Sequence, residues 1–101
     1  MPSAFQYDFE WDSIKARENL RKHRVEFERA ATIFLDPQTI SEFDEKESIQ
    51  EDRWITLGVD SRGIVLVVCH TFREEKLTSA RIRLISARKA TKNEIKIYER
   101  K

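Results

Sequence analysis

The chain has 101 residues, 40% hydrophobic and 37% charged, which supports one modest core and excludes both a disordered chain and a membrane-embedded one. A single cysteine, Cys69, excludes an intramolecular disulfide, and the longest apolar run, residues 64–69, is far below the roughly 20 residues that span a bilayer. The net charge of +1 is divided by sign: residues 1–50 hold 7 Lys/Arg against 11 Asp/Glu, and residues 51–101 hold 12 against 7. The basic half is suited to meeting phosphate and the acidic half to docking a basic protein, although a mixed solvated surface would give the same counts. With no basic-then-apolar signal at its start, the chain reads as a cytoplasmic protein of one domain, residues 1–101, without membrane contact.

Phe5, Tyr7, Phe9 and Trp11 alternate with polar residues and predict a strand over 5–11. Asp12 is a suitable N-cap for a helix running to His23. Phe27, Ala30, Ala31 and Phe34 have the spacing of a buried helical stripe, and Pro37 ends that second helix. Strands follow at 39–44, 53–59, 64–72 and 79–86, expected as an antiparallel meander, with Asp60-Ser61-Arg62-Gly63 as a turn and both Gly58 and Gly63 near connections. The acidic run 42–52 reads as a loop or strand edge. Thr91 and Glu94 form a capping-box pattern for a last helix through Tyr98. The order β-α-α-β-β-β-β-α predicts an α+β fold, a mostly antiparallel sheet with helices packed on one face.

On the first helix Asp12, Lys15, Ala16, Asn19 and His23 share a stripe, so Asn19 and His23 are expected to be buried and hydrogen-bonded, with a catalytic role as the alternative. In residues 79–84, Ala80, Ile82 and Leu84 share one strand face, which leaves Arg81 and Arg83 together on the other. Thr71 and Arg73 also share a face, and Arg53 and Arg88 bracket the strand region. These arginines either converge to clamp a phosphate or pair ordinarily with Glu51, Asp52, Glu74 or Glu75. Two glycines are too few for a phosphate loop. Cys69 and His70 are adjacent on a strand and point to opposite faces, so neither a metal site nor a cofactor is expected, and Cys69 reads as a core residue.

Phe9-Glu10-Trp11-Asp12, Lys15-Ala16, Asn19, Lys22-His23, Val25, Phe27-Glu28, Ala30 and Phe34-x-Asp36-Pro37 resemble the first half of the BrnT family. Asp52-Arg53-Trp54, Gly58, Thr71 and Arg73, the run Arg83-Leu84-Ile85-Ser86-Ala87-Arg88-Lys89-Ala90, Glu94 and Tyr98 are similar to its second half, extending the likeness over residues 9–99. The resemblance implies a RelE-like fold and a ribonuclease toxin that cleaves RNA to inhibit translation. It also implies a BrnA-like ribbon-helix-helix antitoxin, and repression of operator DNA by the complex. Three positions depart from the family pattern. Arg24 replaces a usual Gly, Glu26 a common Ser, and Ile64 a frequent Arg, with a strained helix end expected at 24 and one phosphate contact fewer at 64.

Metal-independent RNA cleavage needs a proton acceptor for the 2′-OH and positive charge around the phosphate. Arg53, Arg73, Arg83 and Arg88 are the expected charge, Glu51 or His70 the acceptor, and His23 a reserve. The rival expectation is a non-catalytic module that grips its antitoxin and acts as co-repressor.

Overall fold

A computed structural model describes residues 5–100. Its elements are β1 (Gln6–Glu10), α1 (Ser13–His23), α2 (Phe27–Ala31), a 3-10 turn (Thr32–Leu35), β2 (Ile40–Phe43), β3 (Arg53–Val59), β4 (Val65–Thr71), β5 (Arg73–Lys76), β6 (Ser79–Lys89) and α3 (Lys92–Glu99). No helix among the described residues is long and apolar enough to cross a membrane. The fold is α+β, and β2, β3, β4 and β6 are successive antiparallel neighbours, the expected meander. β1 pairs with the far edge of β6 in parallel, giving the sheet order β1-β6-β4-β3-β2.

The strand β5 was not anticipated, because Arg73-Glu74-Glu75-Lys76 has no apolar alternation. It becomes a strand through tertiary pairing alone, with Arg73 opposite Arg81 and Lys76 opposite Ser79 on the long β6. The strand expected at 79–86 likewise runs on to Lys89, because β4 supplies partners as far as Leu66 opposite Lys89. Within this pairing Cys69 lies opposite Ser86 but His70 opposite Leu84, so β6 carries an extra residue, a bulge, near Ile85. The bulge resets the alternation. Ala80, Ile82, Leu84 and, beyond it, Ala87 are all buried against the helices, while Arg81, Arg83 and Arg88 lie on the opposite face.

α1 and α2 cover β6, and Val25, Phe27, Ala30 and Ile33 meet Leu66, Val68, Ile82 and Leu84 in the core. α3 breaks the expectation that all helices share one face. Its Glu94 and Ile97 line a groove with Ile55, Leu57, Val67 and Cys69, which alternate with core-facing Thr56, Leu66 and Val68. The anchor is electrostatic: outward-facing Arg88 donates two hydrogen bonds to the Glu94 carboxylate, at 2.8 and 2.9 Å. Thr91 and Glu94 form the expected capping box.

Asp12 caps α1 as predicted, accepting from the Ile14 N–H. Asn19 is buried, and its carboxamide is fully used: Nδ2 donates to the carbonyls of Val25 (3.0 Å) and Ala87 (2.8 Å), and Oδ1 accepts from the Ala87 N–H (3.0 Å). His23 is exposed rather than buried. The chain reverses directly after it through Arg24, in the left-handed conformation at φ 60°, and it is Val25 that fills the core behind the helix. Glu26 stands at the N-cap of α2 without a side-chain capping bond, a bond that a Ser there could make.

Gly63 occupies the turn with φ +83°, as expected, but Gly58 lies inside β3. A Cβ at 58 would come within 2.7 Å of Thr39 Cγ2 and 3.0 Å of Ile33 Cβ, so Gly58 permits the 3-10 turn to press on the strand. Asp60 organises the hairpin beyond it, accepting from the N–H groups of Arg62 (2.8 Å) and Ile64 (2.9 Å) and pairing with buried Arg29. Burial pushes the Asp60 pKa up, but these hydrogen bonds and the Arg29 charge outweigh it and leave it lowered.

Left-handed backbone is disfavoured for a residue with a Cβ, by roughly 1–2 kcal/mol, partly offset for glycine by its greater unfolded-state freedom. Arg24→Gly is therefore expected to raise the unfolding free energy by about 0.5–1 kcal/mol in urea denaturation. An unchanged or lower midpoint would show that Arg24 is unstrained.

His70 is also buried, 3% exposed, and titratable. Its Nδ1–H donates to the Thr71 carbonyl at 2.9 Å, its Nε2 accepts from the Thr56 hydroxyl at 2.7 Å, and its ring meets Phe34 edge-on at 4.9 Å. Burial lowers its pKa from 6.5, only partly opposed by the bond to Thr71. The unfolded chain thus binds a proton more readily. The contribution of neutral His70 is complete above pH 6.5 and is lost as the pH falls from there toward the lowered folded value. Stability should fall between pH 7.5 and 5.5 by at most about 1.4 kcal/mol per pH unit from this group, and His70→Gln should flatten that slope. Equal slopes in the two proteins would exclude His70 as the source.

Candidate active site

The face of the sheet turned away from α1 and α2 collects charge at one end. β6 presents Arg81 and Arg83 there, and the β4–β5 segment presents Thr71, Phe72 and Arg73. The β2–β3 loop brings Glu51 and Asp52, and parallel pairing sets Glu10 of β1 opposite Arg83. Together they line a recess of about 300 Å³. The loop is folded back onto the start of β3: the Ser48 hydroxyl accepts from the Arg53 N–H at 2.9 Å, and the Asp44 carboxylate accepts from the Glu47 N–H at 3.3 Å.

Arg83 hydrogen-bonds to the Glu51 carboxylate, and Arg53 approaches the same carboxylate at 3.8 Å and Glu47 at 3.9 Å. The Arg53 Nε is buried and has no hydrogen-bond partner among the described residues. Arg73 forms no ion pair with another described residue and is exposed. Arg81 is committed to Glu75, and at 3.4 Å to Glu10, carboxylates that push its pKa up. The two expectations for the strand arginines thus coexist. Arg81 and Arg83 do pair with local carboxylates, and they also converge on one recess.

Of the residues expected to act together, the structure assembles Glu51, Arg53, Arg73 and Arg83. His70 is not among them, because strand alternation turns it into the core, with Cys69 facing the other way. Arg88 shares the outward face but lies five positions along β6, roughly 16 Å away at strand rise. It is saturated by Glu94, whose pKa the Arg88 hydrogen bonds pull down to about 2. His23 borders the groove near Arg88 instead. Ile64 stands at the far end of the β3–β4 hairpin from Arg53 and Thr71, so the departure there removes nothing from the recess.

Sequence reading missed Glu10 and Phe72. Alternation within β1 put Glu10 on its polar face, but only the parallel pairing with β6 brings it to Arg83. A larger groove, about 500 Å³, runs between β1 and the 3-10 turn; its lining, which includes Phe5, Tyr7, Phe9, Phe34 and Leu35, contains no charged residue. The smaller recess is the charged one, lined by Glu10, Glu51, Asp52, Arg73, Arg81 and Arg83.

No curated protein matches the chain in sequence. Among solved structures, the 1.1 Å crystal structure of the Brucella abortus ribonuclease toxin BrnT has a similar fold, with a TM-score of 0.58 at 20% identity, covering 86% of this chain and 100% of that one. Residues 11–94 match the family described as the ribonuclease toxin BrnT of type II toxin–antitoxin systems, and the chain therefore belongs to the BrnT family.

Proposed function

We propose that this BrnT-family ribonuclease is a metal-independent endoribonuclease of RelE-like fold that acts in the cytoplasm at the charged recess and arrests translation and growth. The observation that carries the reading is that Glu51 is approached by both Arg53 and Arg83 and lines one recess with Arg73 and Arg83, so that three strands and one loop contribute. Guanidinium groups match phosphate oxygens in shape and remain charged at any working pH, so they offset the charge that grows on the attacked phosphate. Glu51 is the proton acceptor. Its carboxylate takes the 2′-OH proton, the 2′-oxygen attacks phosphorus, the bond to the 5′-oxygen breaks, and that oxygen takes a proton from water. To do this Glu51 exchanges its contact with Arg83 for the ribose as the phosphate takes its place.

A second reading is favoured by one observation: Arg83 and Arg81 are already paired with carboxylates of the same chain. The protein would then be a weak or inactive nuclease whose work is to bind a BrnA-like ribbon-helix-helix antitoxin and repress operator DNA through it. On either reading the antitoxin is proposed to cover the basic end of the sheet, where acidic side chains would replace Glu51 and Glu75.

Purified protein incubated with RNA separates the readings. Arg83→Ala, whose side chain is 40% exposed and leaves the core intact, should cut cleavage by about 100-fold, and Glu51→Gln by about 100-fold or more. EDTA should leave the rate unchanged; abolition by EDTA and recovery with magnesium would overturn metal independence. Absent cleavage with intact antitoxin binding would favour the co-repressor. Antitoxin and a non-cleavable RNA should also compete, and simultaneous unweakened binding of both would refute occlusion of the recess.

A further inference from the structure

The phosphate recess has an aromatic wall. Phe72 lies between β4 and β5 and belongs to neither: pairing of this segment with β6 stops at His70 and resumes at Arg73. Phe72 lines the recess beside Arg73, Arg81 and Arg83, and it is 39% exposed. Among the described residues no aromatic ring packs against it, whereas Phe9, Phe34, Phe43 and Trp54 each have such a partner. An exposed apolar ring alone is ordinary on a protein surface. Next to a cluster of guanidinium groups it has the composition of a single-strand binding site, in which arginines track the backbone and an aromatic face stacks an unpaired base.

We propose that Phe72 is the base-stacking subsite of this ribonuclease, holding one nucleobase of single-stranded RNA while the arginines hold the adjoining phosphate. The inference rests on the recess being the RNA site. It adds a substrate class: the base must be unstacked from its neighbours to reach the ring, so the site takes single strands and rejects duplexes. It also assigns no hydrogen-bond reading to the base, because a π-face stacks any of the four.

The probe is a short RNA with 2′-O-methyl riboses, which cannot be cleaved, with binding read by fluorescence anisotropy. Phe72→Ala should weaken it by about 10- to 100-fold, Phe72→Trp should restore binding, and Phe72→Leu should behave as Ala. On an abasic ribose-phosphate chain, wild type and Phe72→Ala should bind equally. A loss of equal size on the abasic chain would show a structural effect, and full binding by Phe72→Leu would show mere apolar contact; either overturns stacking. If Phe72→Ala binds normally while Arg83→Ala does not, stacking fails and the recess stands as the RNA site. If both bind normally, the recess itself is not the RNA site.

Discussion

Hydrogen bonding along both edges of β6 is the constraint on which the rest of the molecule depends. β1 holds one edge, and β4 and β5 hold the other, so this strand cannot rotate to exchange its faces. Its small and aliphatic residues must then go to the helices and its arginines to the open side. The bulge near Ile85 matters equally, because without it Arg88 would share the face of Ile82 and Leu84. One inserted residue thus lets a single strand serve the recess with Arg83 and anchor α3 with Arg88.

Polar pins then fix the helices to this strand. The Asn19 carboxamide satisfies three backbone groups that would otherwise be buried unpaired, including both the N–H and the carbonyl of Ala87. Asp60 does comparable work at the opposite hairpin, where Arg29 is buried with it. Removing either member of that pair would strand the other charge in the interior, which is more damaging than the pair is stabilising. The chain therefore places its polar network where helices meet strand ends and leaves the sheet core apolar.

The fold was legible wherever local chemistry and tertiary structure agree. Alternation in β6 placed Arg81 and Arg83 outward, and Asp12 and Thr91 announced helix starts, whereas the left-handed helix end at Arg24 was expected only from the family's usual Gly there. What local pattern could not carry was pairing across distance. β5 is charged at every position, Glu10 meets Arg83 only through a parallel register, and Arg88 reaches the open face only through a bulge. Half of the histidine reading failed for a related reason: Asn19 and His23 share a helical stripe, but only Asn19 is buried and bonded to Ala87 of β6, while His23 stays exposed at the rim of the groove near Arg88.

The ion pair between Glu51 and Arg83 makes the protein its own counterion. When an unpaired cation binds nucleic acid, condensed salt ions are set free, and affinity falls by about 0.7 decades per decade of salt for each phosphate contact on a single strand. On the proposed function, a phosphate arriving at Arg83 would displace a tethered carboxylate instead, and that carboxylate would gather ions from solution as it leaves. The liberation of salt from the RNA would thereby be partly cancelled, and association at Arg83 would be less sensitive to ionic strength than its charge alone dictates. Arg73, with no such partner among the described residues, would then carry the greater share of the salt dependence.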